Sequence, residues 1–163
     1  YTRENLYTLF KTIRKIDPDA ALRTTLIVGF PGETQQGFDS LMTFIKDIRF
    51  DHLGVFTYSD SEDLKSHLLE NHIPREVAEK RHDMIMAAQA EISKSVNEKL
   101  LGRTFEVLVE ENPEQGVYIG RTMFQAPEVD GVTFIYAEKL EIGTFVDVRI
   151  TEAFEYDIAG EIA

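Results

Sequence analysis

Near Gly102 the hydrophobic pattern of the chain changes its period. Before this residue, apolar side chains recur about every 3.6 residues, as in amphipathic helices, and two short apolar runs interrupt them. After it, apolar and polar side chains alternate in short runs, which is typical of half-buried strands. Since one layer of secondary structure cannot carry both periods, the sequence predicts an α/β part followed by an all-β part.

The part before Gly102 is predicted to begin in the order helix, strand, helix, strand. Thr2 and Thr34 are expected to cap the two helices, because a threonine hydroxyl accepts a hydrogen bond from the first turn. The apolar runs at residues 21–30 and 52–58 are the predicted strands, and polar residues 59–73 form a loop. This order is typical of a parallel α/β layer.

A long helix and five strands are predicted for the rest of the chain. Pro74 suits the first position of the helix, and Gly102 suits the position just past its end. The alternating runs that follow are separated by turn residues, which predicts a five-stranded antiparallel barrel of the OB-like kind. The predicted divisions are residues 1–72, a connecting helix at 73–101, and the barrel at 102–163.

Negative charge is concentrated in the predicted barrel. Residues 103–163 carry 4 basic and 13 acidic side chains, against 13 basic and 16 acidic in residues 1–102. A barrel with this charge repels a phosphate backbone and attracts a basic protein. The alternative is that the carboxylates only keep the protein in solution.

Several kinds of site are excluded or not indicated. The chain has no cysteine, which excludes disulfides, thiolate metal sites and a cysteine nucleophile. The four histidines, at positions 52, 67, 72 and 82, lack paired zinc spacing and are interpreted as surface residues. No run approaches the roughly 18 apolar residues of a membrane span, and nothing at Tyr1 resembles a signal peptide. We therefore expect no metal site, no membrane segment and a cytoplasmic location.

The turn after the first predicted strand contains two glycines and leads into a helix. Such a turn can bind an anion, but residues 27–34 have neither the GxGxxG spacing nor the P-loop spacing. The residues alone therefore indicate a structural turn. Glu33 is expected to favour the start of the helix rather than to act as a catalytic acid.

Two longer strings carry a family resemblance. Residues 23–34 (RTTLIVGFPGET) and 49–59 (RFDHLGVFTYS) resemble the later half of a radical SAM methylthiotransferase barrel, and the opening YTREN resembles the stretch before it. The tail from Gly102 resembles the TRAM domain that ends these enzymes. Within the tail, GRT at 120–122 and APEVDG at 126–131 resemble the RimO-type branch, which acts on a ribosomal protein.

The resemblance implies a parent enzyme that attaches a methylthio group to the β-carbon of an aspartate. This aspartate lies in the twelfth protein of the small ribosomal subunit, and such enzymes use S-adenosylmethionine and two iron–sulfur clusters. The cluster-binding CxxxCxxC loop is missing here, so the clusters cannot bind this chain. The chain is interpreted as a carboxy-terminal fragment with part of the (β/α) barrel, inactive by itself and without a catalytic residue.

The resemblance also assigns binding residues. The alternative for these positions is a structural role, in core packing or in turn formation. The positions implied to contact S-adenosylmethionine are Ile27, Val28, Gly29, Phe56 and Thr57. The positions implied to contact substrate are Thr25, Arg121, Glu128 and Asp130. Asp130 with Gly131 also fits a simple hairpin turn.

Three hypotheses follow for the function. The first is a fragment of the ribosomal-protein enzyme, which docks a basic ribosomal protein, does not bind nucleic acid through its TRAM domain, and self-associates through its open barrel. The second is an RNA-binding module from the transfer-RNA branch of the family. The third is a free-standing interaction domain without a catalytic parent. Binding to transfer RNA separates the first two hypotheses.

Overall fold

The computed structural model describes residues 2–163. Tyr1, which is the first residue of the YTREN string, lies outside the described residues. Contacts within the chain divide it into two units, of which the first ends at Ile92 and the second is Ser93–Ala163. The division predicted at residues 72 and 101 from the changes in sequence pattern stays a prediction.

The helices begin where the sequence offers caps. The hydroxyl of Thr2 accepts a hydrogen bond from the backbone of Asn5 (3.3 Å), and the Asn5 side chain accepts one from the Thr2 backbone (3.1 Å). Thr34 accepts from the backbone of Gly37 (3.0 Å). The described α-helices are α1 (Arg3–Ile16), α2 (Gln35–Ile48) and α3 (Arg75–Asn97). Short 3₁₀ turns lie at Lys65–Leu68 and Glu98–Leu100.

The first unit contains a two-stranded parallel sheet. Strand β1 (Arg23–Val28) pairs with β2 (His52–Thr57) in a register that sets Ile27 opposite Phe56 and Val28 opposite Thr57. The order helix, strand, helix, strand is as predicted. The first unit therefore has the predicted parallel sheet with its helices.

One face of this sheet forms the core of the first unit. Val28, Leu53 and Val55 are buried on it. Phe50 is also buried; its ring lies 5.1 Å from that of Phe10, edge to face, and its carbonyl accepts a hydrogen bond from Gln89 of α3 (2.8 Å). Burying each such side chain contributes about 1.5–3 kcal/mol. The helices therefore cover one face of the sheet.

The second unit contains a closed barrel of five strands. Their order around the barrel is β3-β4-β5-β7-β6. The strands are β3 (Thr104–Glu114), β4 (Val117–Thr122), β5 (Thr133–Tyr136), β6 (Phe145–Ala153) and β7 (Ile158–Ile162). Alternate side chains point inward, and the buried cluster is Val107, Val109, Tyr118, Ile135, Val148, Ile150 and Ile158.

The barrel is mixed, and the prediction of a wholly antiparallel barrel is wrong. Strands β5 and β7 pair in parallel, from Thr133 opposite Ile158 to Tyr136 opposite Glu161. The reason is topological. In a closed ring with an odd number of strands, the strand direction cannot alternate at every seam, that is, between every pair of neighbouring strands. One seam must be parallel, and here it is the seam that closes the ring.

Among the helices of residues 2–163, none combines the length and the apolar composition needed to cross a membrane.

Candidate functional site

The second face of the β1–β2 sheet is exposed and apolar at its centre. We call it the open face, and it carries Thr25, Ile27, Gly54 and Phe56. Ile27 and Phe56 lie side by side and are 57% and 63% exposed. Thr25 lies opposite Gly54, which has no side chain to cover it. Of the five sheet positions that the sequence singled out, Thr25, Ile27 and Phe56 thus lie together on the open face.

The remaining predicted cofactor positions lie at the ends of the two strands. Val28 is fully buried on the covered face, and Thr57 opposite it is exposed. The backbone N–H of Tyr58 donates to the carbonyl of Val28 (2.8 Å), so the parallel pairing continues past the strand ends. Gly29 is buried and turns the chain away with φ +77°. These residues lie at the carboxyl edge of the sheet, where parallel α/β folds bind their ligands.

A buried ion pair holds the turn that follows β1. Glu33 accepts hydrogen bonds from the backbone of Gly29 (3.2 Å) and from the Arg81 guanidinium of α3 (2.5 Å). The side chains of Arg81 and Glu33 are only 8% and 16% exposed. The guanidinium also lies over the ring of Phe38, 5.3 Å from its centre. Glu33 therefore fixes the turn against α3, a role that the sequence interpretation missed because its partner is 48 positions away.

A second polar cluster orders the loop after β2. The Asp60 carboxylate lies 2.8 Å from His67 Nδ1 and 4.0 Å from His72 Nδ1. The hydroxyl of Tyr58 lies within hydrogen-bond distance of Asp60 (3.0 Å) and Ser66 (2.9 Å). The hydrogen bond from His67 lowers the pKa of Asp60. Two histidines interpreted as plain surface residues thus share one carboxylate, and their spacing of five gives no sequence signal for it.

No three His, Asp or Glu side chains of residues 2–163 are grouped so that they could hold a metal ion.

In the barrel, each predicted substrate-contacting residue has its own local setting. Arg121 on β4 pairs with Glu110 on β3 (2.6 Å). Asp130 accepts a hydrogen bond from the backbone of Ala126 (2.7 Å), as a turn-forming aspartate does. Glu128 is exposed at the loop tip with φ +63°. Glu128 and Asp130 therefore share one loop, while Arg121 precedes it on a strand.

A buried glutamine anchors this loop to the barrel. Gln125 is 4% exposed, and its carbonyl oxygen accepts from the backbone of Thr122 (2.9 Å) and from the hydroxyl of Thr133 (2.7 Å). Polar side chains at such depth need these partners, since an unmade hydrogen bond there costs about 1–3 kcal/mol. The loop that carries Glu128 and Asp130 is therefore a fixed part of the barrel.

Two negatively charged side chains lie opposite each other on the outer surface of the barrel. Glu106 on β3 lies directly opposite Asp147 on β6, and both side chains are exposed. Like charges at opposed sheet positions destabilise the pairing. The two carboxylates make this part of the barrel surface negative.

Comparison with known proteins first defines the class of the second unit. Residues 101–163 match the family model of the TRAM domain. The match begins within two residues of the boundary predicted from Gly102. This part of the chain, with its closed barrel, is a TRAM domain.

Nearly the whole chain is similar to curated proteins that share one name. The chain is 45% identical over 99% of its length to the ribosomal protein uS12 methylthiotransferase RimO of Clostridioides difficile (strain 630). It is 49% identical over 99% of its length to the enzyme of the same name from Desulfosudis oleivorans, and 48% over 96% to that from Thermosipho melanesiensis. The predicted resemblance to the RimO-type family is confirmed, since the similarity runs along nearly the whole chain. The chain spans 36–37% of the length of these relatives.

Proposed function

We propose that this chain is the carboxy-terminal part of a radical SAM enzyme that methylthiolates the β-carbon of an aspartate in ribosomal protein uS12. The observation that carries the proposal is the identity of 45–49% to enzymes of that name along nearly the whole chain. Since the substrate is a ribosomal protein, the proposed location is the cytoplasm. In this enzyme the chain has two tasks, one for each unit.

The first task is to form part of the wall of the cofactor barrel. S-adenosylmethionine, when bound, supplies radical chemistry, and the open face is suited to hold it because Ile27 and Phe56 present an apolar surface for its adenine. Backbone groups at Val28, Gly29 and Thr57 lie at the carboxyl edge beside this surface. Thr25 on the same face is the proposed contact to the substrate. These residues bind, orient and shield, and none of them moves a proton.

The iron–sulfur clusters do not fit the residues of this chain. Cluster irons are ligated by cysteine thiolates, and the chain has no cysteine. We therefore propose that the chain alone is inactive. Its open face, which in the longer enzyme would meet the other barrel strands, is then available to a second copy of the chain.

The second task is to dock the basic substrate protein. The barrel carries 13 carboxylates against 4 basic residues, and Glu106 and Asp147 place two of them opposite each other. Such a surface steers a basic polypeptide towards the enzyme and repels RNA. We propose that Arg121, Glu128 and Asp130, which lie in or beside the anchored loop, contribute to this docking surface.

The docking task is tested by binding of the 163-residue chain to purified uS12 and to transfer RNA. We expect binding to uS12 that weakens as salt is raised, and no measurable binding to transfer RNA under the same conditions. Reversing two barrel charges with Glu106→Lys and Asp147→Lys is expected to weaken uS12 binding by about tenfold. Both positions are exposed, and the change replaces one like-charged pair by another, so folding is retained.

The matched control reverses two charges outside the barrel, with Glu62→Lys and Asp63→Lys in the exposed loop after β2. It produces the same net charge but leaves the barrel intact, so uS12 binding should change by less than about twofold. Equal losses in both double variants would show that only net charge matters. Tight binding to transfer RNA with a steep dependence on salt would instead favour the RNA-binding alternative.

A further inference from the structure

The outer wall of the second unit contains a cavity that none of the assigned residues uses. Its volume is about 540 Å³. It is lined by Lys94, Phe134, Ala153, Phe154, Glu155, Tyr156 and Asp157. Phe134 points outward from β5, since its neighbours Thr133 and Ile135 are the buried residues of that strand. The cavity therefore lies outside the barrel core, and we call it the aromatic pocket.

Backbone hydrogen bonds hold the wall of the aromatic pocket in place. The N–H of Phe154 donates to the carbonyl of Asp157 (2.9 Å), which closes a tight turn between β6 and β7. The side chain of Asn97 donates to the carbonyl of Phe154 (3.1 Å). The Asp157 carboxylate accepts from the backbone of Val132 (2.7 Å), which ties the turn to the neighbouring segment. The pocket is thus formed before any ligand arrives.

The lining combines aromatic rings with carboxylates. Phe154 and Tyr156 remain 43% and 44% exposed, so both rings are available to a ligand. Glu155 and Asp157 lie beside them. Partial burial, with the charge of Glu155 as the second cause, raises the pKa of the Tyr156 hydroxyl. The carboxylates of Glu155 and Asp157 among the lining residues make the pocket negative, which favours a cation.

We propose that the aromatic pocket binds an arginine side chain of the basic protein that docks on the barrel. A guanidinium is planar, stacks on aromatic rings and pairs with carboxylates, whereas the more strongly hydrated ammonium of lysine stacks less well. This inference rests on the proposed function and names one contact within it. Lys94, which also lines the pocket, places a competing positive charge there, so its removal should strengthen binding.

The test uses the full chain and a blocked glycine-arginine-glycine peptide as the probe, titrated while NMR amide signals are followed. We expect the signals of Ala153 to Asp157 to shift, with an affinity at least about fivefold higher than for the same peptide with citrulline in place of arginine. Citrulline has nearly the same shape and no charge. The comparison therefore measures the contribution of the cation.

Two variants and one control locate the binding. Tyr156→Ala is expected to weaken binding by about fivefold, and Lys94→Gln is expected to strengthen it by about twofold. The control is Tyr136→Ala, since Tyr136 is exposed to a similar extent (40%) and does not line the pocket. It should change the affinity by less than about twofold.

Several results would overturn the inference. If the citrulline peptide binds equally well, or if the shifted signals lie elsewhere on the barrel, no arginine site exists at this position. The same holds if transfer RNA, and not the peptide, shifts the pocket signals. Binding of uS12 that persists at full strength in Tyr156→Ala would overturn the pocket while leaving the proposed docking function in place.

Discussion

Replacing Gly29 with alanine is expected to destabilise the first unit by about 3 kcal/mol. Gly29 has φ +77°, a backbone conformation that costs an alanine about 1–2 kcal/mol. A β-carbon at this position would lie 2.5 Å from the β-carbon of Ala78 on α3, so the turn and the helix would have to move apart. Overpacking of this kind adds about 1–3 kcal/mol.

Gly32→Ala separates the two contributions. Gly32 has φ +84°, close to that of Gly29, but a β-carbon there meets nothing within 4 Å. This control should therefore lose only the backbone part, about 1 kcal/mol. Urea unfolding followed through the amide signals of Val28 and Val148 reports each unit separately. Equal losses in the two variants would contradict the close packing of the turn on α3.

Replacing Glu33 with alanine is expected to cost the first unit about 3–5 kcal/mol. The substitution leaves the Arg81 guanidinium buried without its carboxylate, and removing one partner of a buried pair has effects of this size. The Nε atom of Arg81 is already buried without a hydrogen-bond partner. Loss of Glu33 would therefore leave the buried guanidinium with still fewer hydrogen bonds. Gly29 also loses the acceptor of its backbone N–H.

A second substitution and a surface control test this explanation with the same urea titration. Adding Arg81→Met to Glu33→Ala removes the stranded charge and should recover most of the loss, because apolar side chains often replace a buried ion pair well. Glu79→Ala breaks the exposed pair with Arg75 on the same helix and should cost no more than about 0.5 kcal/mol. A double variant as unstable as Glu33→Ala would show that the buried charge is not the cause.

Local sequence patterns were sufficient to predict most elements of secondary structure. Thr2 and Thr34 cap their helices as expected, because capping depends only on the next few residues. The five alternating runs after Gly102 each became a strand of the barrel. The parallel seam between β5 and β7 was missed because alternation shows which face a residue takes and not which strand it pairs with.

The candidate sites depend more on distant contacts and were less predictable. The sequence alone does not give the face of the sheet on which Thr25 lies, and the register with β2 places it on the open face. The pairing of Glu33 with Arg81 joins residues 48 positions apart, and no local pattern indicates it. The cofactor positions on the open face were predicted from a family resemblance. No local sequence pattern indicates that Ile27 and Phe56 lie side by side and exposed.

The most direct test of the account is to identify what the intact product of the gene that encodes this chain modifies. Cells with and without the gene are compared by mass spectrometry of uS12 and of transfer-RNA nucleosides. The account predicts that a methylthio group on an aspartate of uS12 is lost with the gene, while the nucleosides stay unchanged. Loss of a methylthio group from the nucleosides, with uS12 unchanged, would contradict it.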